Sequence, residues 1–274
     1  MDYQDYAAIP AVNWSTLKHM RQSPAHYRAA LHAPPTPDTD ALILGRVTHM
    51  ALWEPDRLLT DVVVWEGATR RGKAWDAFQA EHAGKDIIRP RDLESIRCMA
   101  DAVRSHPVSG PILAKSGKGE QTLTWTDART SLPCKARIDW LTDDGDLVDL
   151  KTTADLDPRA FAAAVHRYGY HGQLAHYRSG CIANGHRVER ALVIAVEKTE
   201  PYDVVVYQLE DGPGGALFAG RQLRDQLLDQ LSACIDADTW PGRAPDAVEP
   251  LELPHYALSD RRAQARLRED VRNG

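Results

Sequence analysis

Two aspartates and a lysine, Asp139, Asp149 and Lys151, sit on two short apolar runs joined by a turn. The first run is Ala136-Arg137-Ile138-Asp139-Trp140-Leu141, and the second is Leu147-Val148-Asp149-Leu150-Lys151-Thr152. Apolar runs separated by a D-D-G turn predict a β-hairpin, and its register decides what chemistry is available. A two-residue Asp144-Gly145 loop pairs Trp140 with Asp149 and sends the aspartates to opposite faces. A three-residue Asp143-Asp144-Gly145 loop, with Gly145 left-handed, pairs Asp139 with Asp149 directly. The second register gathers Ile138, Trp140, Val148 and Leu150 on one face and Arg137, Asp139, Asp149 and Lys151 on the other. The first mixes apolar and charged side chains on both faces, so the second is preferred.

Facing carboxylates repel, and a divalent cation between them relieves the repulsion. Lys151 falls on the face of Asp149 by the two-residue strand period, where it can hold an attacking water or a scissile phosphate. The set fits metal-assisted phosphodiester hydrolysis, in which the ion lowers the pKa of a water and stabilises developing charge. The same residues also fit a solvated hairpin face with an Asp–Lys pair. D-x-K is short and common, and spacing alone does not separate the two.

The elements that must position this hairpin can be read coarsely. Asn13 or Ser15 caps a helix through Met20, and Ser23-Pro24 starts another through Leu31. A helix spans about Asp40 to Trp53 and is stopped by Glu54-Pro55; Asp61 to Trp65 is a short β-rich run. The stretch from Arg70 to Lys85 is polar, and Asp92 to His106 is helical. Thr122 to Thr126 alternates as a strand before the hairpin. Phe161 to Ala183 reads as one long helix despite Gly169 and Gly172. Two strands, Leu192 to Glu197 and Val204 to Leu209, precede a helix from Leu217 to Ile235. Strands and helices mix without regular βαβ alternation, which predicts an α/β (α+β) domain with a mixed sheet flanked by helices. We expect a single domain over residues 1–240, mainly helical to 118 and sheet-based from 119. A proline-punctuated linker and a short charged helix then fill 241–274.

The composition, 43% hydrophobic with a formal net charge of −6, excludes disorder and a diffuse basic surface. Residues 1–199 carry 25 basic and 25 acidic side chains, so the excess acid lies in the C-terminal quarter. The longest aliphatic run, Ala191 to Val196, is too short for a membrane span, and no basic-then-apolar segment opens the chain. A soluble, cytoplasmic protein without a membrane partner is expected. Cys98, Cys134, Cys181 and Cys234 are too dispersed for a zinc or iron–sulfur site and read as buried, reduced thiols. Arg70, Arg71 and Lys73, with Arg137 on the hairpin, are candidate phosphate contacts, although solvated surface charge explains them equally.

The hairpin motif, Asp139 followed after nine residues by Asp149-Leu150-Lys151, resembles that of the PD-(D/E)XK nuclease superfamily. More narrowly, Arg137-Ile138-Asp139 and Val148-Asp149-Leu150-Lys151-Thr152-Thr153 are similar to the R-[ILV]-D and [IV]-x-D-x-K-T-T pattern of the RecE (exonuclease VIII) nuclease family, which is related to lambda exonuclease. Leu44-Gly45-Arg46-Val47-Thr48-His49 matches an upstream L-G-x-x-x-H element. Ser15-Thr16-Leu17 through Tyr27 resembles the family's N-terminus, and Tyr170-His171-Gly172-Gln173 through Tyr177 resembles its Y-x-x-Q-x-x-x-Y helix. The matches run in order from about residue 12 to residue 200. The second motif acid is Asp where the superfamily more often has Glu.

The resemblance implies a restriction-endonuclease-like core in which Asp139, Asp149 and the Leu150 carbonyl bind Mg2+ or Mn2+. It makes Lys151 the catalytic lysine and His49 a further ligand; without it, His49 reads as a partly buried helix histidine. Glu120 would supply another acid, unless it is only a strand-end surface glutamate. Gln173 and Tyr177, one helical turn apart, would contact the DNA strand, unless they simply pack a polar helix face on the sheet. The implied activity is a 5′→3′ exonuclease on double-stranded DNA ends, leaving 3′ overhangs for a single-strand annealing protein, with the enzyme a ring-like trimer or tetramer. The competing readings are an endonuclease or single-strand nuclease of the superfamily, and a catalytically silent DNA-binding module.

Overall fold

The hairpin of residues 136–152 forms the middle of a five-stranded mixed sheet with helices on both faces. The computed structural model describes residues 3–34, 38–244, 246 and 248–253. The chain divides into two units, Met1–Trp240 and Pro241–Gly274, and everything below concerns the first. The short charged helix expected after the linker, over residues 259–272 within 241–274, lies outside the described residues.

In chain order, α1 (Tyr3–Ala8), α2 (Trp14–Leu17) and α3 (Pro24–His32) come first, with a 3-10 turn at Lys18–Arg21. Asn13 caps α2 by accepting the Thr16 N–H, and Ser23 caps α3 through the His26 N–H. Next come α4 (Asp40–Trp53), α5 (Pro55–Asp61), β1 (Val62–Val64), α6 (Lys73–Glu81) and β2 (Asp86–Ile88). Two helices, α7 (Pro90–Ser105) and α8 (Ser109–Leu113), lead into β3 (Gly117–Thr126), β4 (Pro133–Thr142) and β5 (Asp146–Thr153). The chain then forms α9 (Pro158–Tyr168), α10 (Tyr170–Ala183), β6 (Arg190–Glu197), β7 (Val204–Gln208) and α11 (Ala216–Ala237).

The sheet order is β3-β4-β5-β6-β7; only β5–β6 is parallel, its crossover made by α9 and α10. On one face, Val47 and Ala51 of α4 and Ile96 and Met99 of α7 pack on Val148, Leu150, Leu192 and Ile194. On the other, Phe161 of α9 and Leu174 and Ala175 of α10 pack on Ile138, Leu147, Val193 and Ala195. Trp14, Leu17, Met20 and Tyr27 close a third cluster against Leu227, Leu228 and Leu231 of α11. The central strands are thus covered on both sides, which is why β6 reads as a nearly unbroken aliphatic run.

Three expectations are corrected. The single helix over 161–183 is two, because Gly169 takes the left-handed conformation (φ +76°) that ends α9 and begins a new direction. The polar 70–85 stretch contains α6, whose Trp75 and Phe78 pack against Trp65 of the preceding loop. Cys98 is partly exposed, whereas Cys134, Cys181 and Cys234 are buried; all four are free thiols. Among the described residues, no helix is long and apolar enough to cross a membrane.

Candidate metal-dependent active site

Trp140 lies opposite Val148 and Leu141 opposite Leu147, the register of a three-residue loop, and Gly145 in that loop has φ +98°. Asp146 is locked at the strand start by Arg190 (2.6 Å) and Lys115 (2.7 Å). One step further along, the register brings Asp139 opposite Asp149, but the ladder stops at Trp140. The strands part there, and the Asp139 carboxylate fills the gap by accepting the Leu150 backbone N–H at 2.8 Å. That parting changes the phase of β4. Ile138 packs in the α10-side core with Leu141 and Leu147, while Trp140 packs on the α4 side with Val148 and Leu150. The clean two-face split expected from the sequence therefore fails at Asp139. The neighbouring strand is irregular at the same level: Glu120, flanked by the Gly119↔Trp140 and Gln121↔Ile138 pairs, has φ +48°. For a non-glycine residue that is a strained conformation, and it occurs at the site.

The residues brought together are His49, Glu120, Asp139, Asp149, the Leu150 carbonyl and Lys151. Single ligand atoms of His49, Glu120 and Asp139 lie within 4.8 Å of one another. His49 reaches in from α4, with Nδ1 3.3 Å from Asp139 Oδ2 and Nε2 3.2 Å from the Leu150 carbonyl. Lys151 Nζ is 2.6 Å from Asp149 Oδ2, while Asp149 Oδ1 is buried with no hydrogen-bond partner. Glu120 is held by Arg137, whose Nε donates to Oε2 at 2.6 Å, and Arg137 also stands 3.6 Å from Glu54.

Burial dominates the electrostatics. It pushes the Asp139 carboxyl up to about 6, against the pull of Lys151, the Leu150 N–H and Arg137. Asp149 is likewise pushed up to about 6 by burial, with Lys151 opposing and Asp139 adding. Glu120 is raised by burial and by Asp139. Burial and then Lys151 lower the His49 pKa, so the imidazole is neutral near pH 7. Burial lowers the Lys151 pKa, but the charges of Asp149 and Asp139 outweigh it, so this ammonium stays protonated.

These features fit a hard divalent cation. A neutral imidazole can donate only one hydrogen bond, so with Nε2–H on the Leu150 carbonyl the Nδ1 lone pair faces the Asp139 carboxylate. A cation resolves that opposition, gives Asp149 Oδ1 a partner and draws the carboxylates to their charged forms. Oxygen donors with one imidazole suit Mg2+ or Mn2+.

The site opens into a cleft of about 890 Å³ lined by Lys18, Arg46, Arg57, Lys198, Tyr168 and Tyr170 together with His49, Glu120, Asp139, Leu150 and Lys151, while Asp149 is buried behind the lining. Gln173 donates to the Tyr177 hydroxyl (2.7 Å) on α10. Both lie outside the cleft lining, beneath the carboxylates, whose charges together with burial raise the Tyr177 pKa. Arg70 is not brought to the site: it pairs with Asp40, donates to the Ile87 carbonyl at 2.8 Å and lies over Trp75. Arg71 and Lys73 are exposed and also outside the cleft. Arg137 faces carboxylates rather than solvent. Tyr170, whose ring centroid lies 4.8 Å from Lys151 Nζ, was legible only as the first residue of the Y-x-x-Q pattern. No local signal marks Lys18.

Comparison with solved structures supports the fold. A protein from Eubacterium rectale described as a "Putative exonuclease" aligns with a TM-score of 0.61 at 13% identity, over 95% of this chain and 98% of that one. A phage-related exonuclease from Haemophilus somnus 129PT aligns over 84% of this chain and 96% of that one at 12% identity, but its TM-score of 0.36 carries no argument. No curated protein matches the chain. The mixed sheet, its flanking helices and the D…D-x-K hairpin agree with the family model that matches residues 13–249, and the chain belongs to that family, the PDDEXK-like domain of unknown function (DUF3799).

Proposed function

We propose that the protein is a divalent-metal-dependent DNA exonuclease acting on double-stranded ends, 5′→3′, and leaving 3′ overhangs for a single-strand annealing protein. The observation that carries the hydrolytic part is the gathering of His49, Glu120, Asp139, Asp149 and Lys151 where β4 and β5 part. The family's nuclease signature and the description of the Eubacterium rectale protein as an exonuclease support it. Polarity, the annealing partner and a ring-like trimer or tetramer rest on the RecE-like motif order.

His49, Glu120, Asp139, Asp149 and the Leu150 carbonyl would hold Mg2+ or Mn2+. When bound, the ion supplies a Lewis acid that polarises a phosphate oxygen and lowers the pKa of a water. Lys151 remains an ammonium, so it positions the scissile phosphate and stabilises the charge developing on it rather than accepting a proton. Arg137 holds Glu120 Oε2 and opposes the burial that raises its carboxyl, and Asp139 steadies the backbone at Leu150 by accepting its N–H.

The test is degradation of end-labelled duplex with magnesium. Wild type should release nucleotides from linear DNA and leave closed circles intact, while Lys151→Ala should lose about 10²-fold or more in rate. Equal rates for the two proteins would sink the role of Lys151. Conversion of closed circles to nicked or linear form without nucleotide release would replace the exonuclease reading with an endonuclease. Sedimentation showing only monomers would count against the ring.

A further inference from the structure

The outer strand of the sheet, β7, pairs only with β6 among the described residues. The Leu209 N–H donates to the Ala191 carbonyl at 2.9 Å, and the Asp203 carbonyl accepts the Glu197 N–H at 3.0 Å. By the two-residue period, Val205 and Tyr207 also turn their backbone groups toward β6, whereas Val206 and Gln208 turn theirs outward. Among the described residues, no hydrogen bond engages those outward N–H and carbonyl groups. The strand reads Val-Val-Val-Tyr-Gln, without the lysine, proline or bulge that ordinarily blunts an edge.

At the end of this edge is a cavity of about 360 Å³, between Phe161 and Ala162 of α9, Tyr207 of β7 and Ala219 of α11. Its lining carries two histidines, His166 and His171, and no Asp, Glu, Lys or Arg. α9 separates it from the catalytic cleft, with Phe161 the one residue lining both. Tyr207 forms the strand-side wall: its ring stacks on Phe161 with centroids 4.7 Å apart, and its hydroxyl donates to the Leu156 carbonyl at 3.2 Å. The surroundings are acidic. Residues 199–220 hold Glu200, Asp203, Glu210 and Asp211 and no Lys or Arg. Asp211 is paired with Arg178 and Arg221, but the exposed Glu200, Asp203 and Glu210 make no ion pair among the described residues.

This chemistry restricts the occupant. Unpaired backbone groups on a strand edge are satisfied by another extended chain and not by a helix. In an added strand every second side chain stands on the Tyr207 face, where the cavity accepts an apolar one. Acids at both ends of β7 favour lysine or arginine on the flanks of that chain and repel a phosphate backbone. A second copy of the protein is a poor match, because symmetric pairing about Val206 sets Asp203 of one copy beside Glu210 of the other. We propose that the β7 edge and its cavity form a docking site for an extended segment of another protein. The segment pairs with the Val206 and Gln208 backbone, puts one apolar side chain in the cavity and carries basic residues on its flanks.

The test is fluorescence anisotropy of the full chain with synthetic nonapeptides, in which phenylalanine and valine alternate with threonine between paired lysines at each end. Wild type should bind this probe at least about tenfold more tightly than the same peptide with glutamate flanks, and high salt should narrow the gap. Methylating alternate backbone nitrogens of the lysine peptide should weaken it about tenfold, because strand pairing is lost and composition is kept. Val206→Pro removes an outward donor and no bond to β6, so it should weaken binding to a similar extent. Ala162→Phe, at an exposed helix position, fills the cavity and should weaken the phenylalanine peptide more than an all-valine one. No binding by wild type, equal binding of the two flank types, or no loss on backbone methylation would each overturn the proposal, whether or not Val206→Pro folds. A wild-type dimer in sedimentation that Val206→Pro converts to monomer would assign the edge to a second copy and overturn the basic partner.

Discussion

Replacing Asp149 with Asn should change how the stability of the metal-free protein depends on pH. The Asp149 side chain is fully buried, and burial moves its pKa from 3.8 up to about 6, Lys151 opposing and Asp139 adding. An acid with a higher pKa in the folded chain than in the unfolded chain binds its proton more tightly when folded. Its stabilising contribution is complete below about pH 4 and is lost as pH rises through about 6. At about 1.4 kcal/mol per tenfold change in proton affinity, the difference between 3.8 and about 6 corresponds to roughly 3 kcal/mol. Lys151 titrates far above this window, but His49, with its lowered pKa, contributes a slope of opposite sign. The comparison is therefore between two proteins that share His49. Urea denaturation in EDTA should show wild-type stability minus Asp149→Asn stability falling by about 2 kcal/mol between about pH 4.5 and 7.5, the part of the total that lies inside that window. Magnesium at neutral pH should then stabilise wild type by RT ln(1 + [L]/Kd) and leave the variant nearly unchanged. A difference curve flat across that range would refute the claim that burial, rather than Lys151, controls this carboxyl.

Two further outcomes follow from packing. Gly172→Ala places a β-carbon 2.1 Å from the Trp14 ring and should cost about 1–3 kcal/mol by denaturation, whereas Gly45→Ala, with 3.6 Å to Thr152 Oγ1, should be neutral or stabilising by up to about 1 kcal/mol. The His176 ring, fully buried with Nε2 3.1 Å from the Lys135 carbonyl and its pKa pulled down to about 3, should show no NMR titration between about pH 5 and 8.

The hairpin was legible because turn chemistry and alternation are local: a D-D-G turn between apolar runs sets the register, and the two-residue period carries Lys151 along with Asp149. The phase change at Asp139 was not legible. It arises where β4 leaves β5, and no run of residues reports that a neighbouring strand has stopped pairing. Glu120 was nameable from the superfamily pattern, but its left-handed backbone lies between two ladder pairs with β4, and no local run of residues reports it. Helix caps at Asn13 and Ser23 were readable for the same local reason as the turn. Lys18 was not, because its only mark is proximity to Lys151, 133 positions away in sequence. Arg70 shows the converse: a basic cluster looks like a ligand surface until Asp40, the Ile87 carbonyl and Trp75 are seen to engage it.

The parallel pairing of β5 with β6 requires a connection that leaves one end of the sheet and returns to it, and here that connection is α9 and α10. The hairpin therefore carries Asp139 and Asp149, the proposed ion-binding acids, and the crossover carries Tyr168 and Tyr170, which line the same cleft as Asp139. Two separate stretches of chain meet at one cleft. Under the proposed function, sequence change in the crossover can retarget which substrates are accepted while the hairpin and its carboxylates stay fixed.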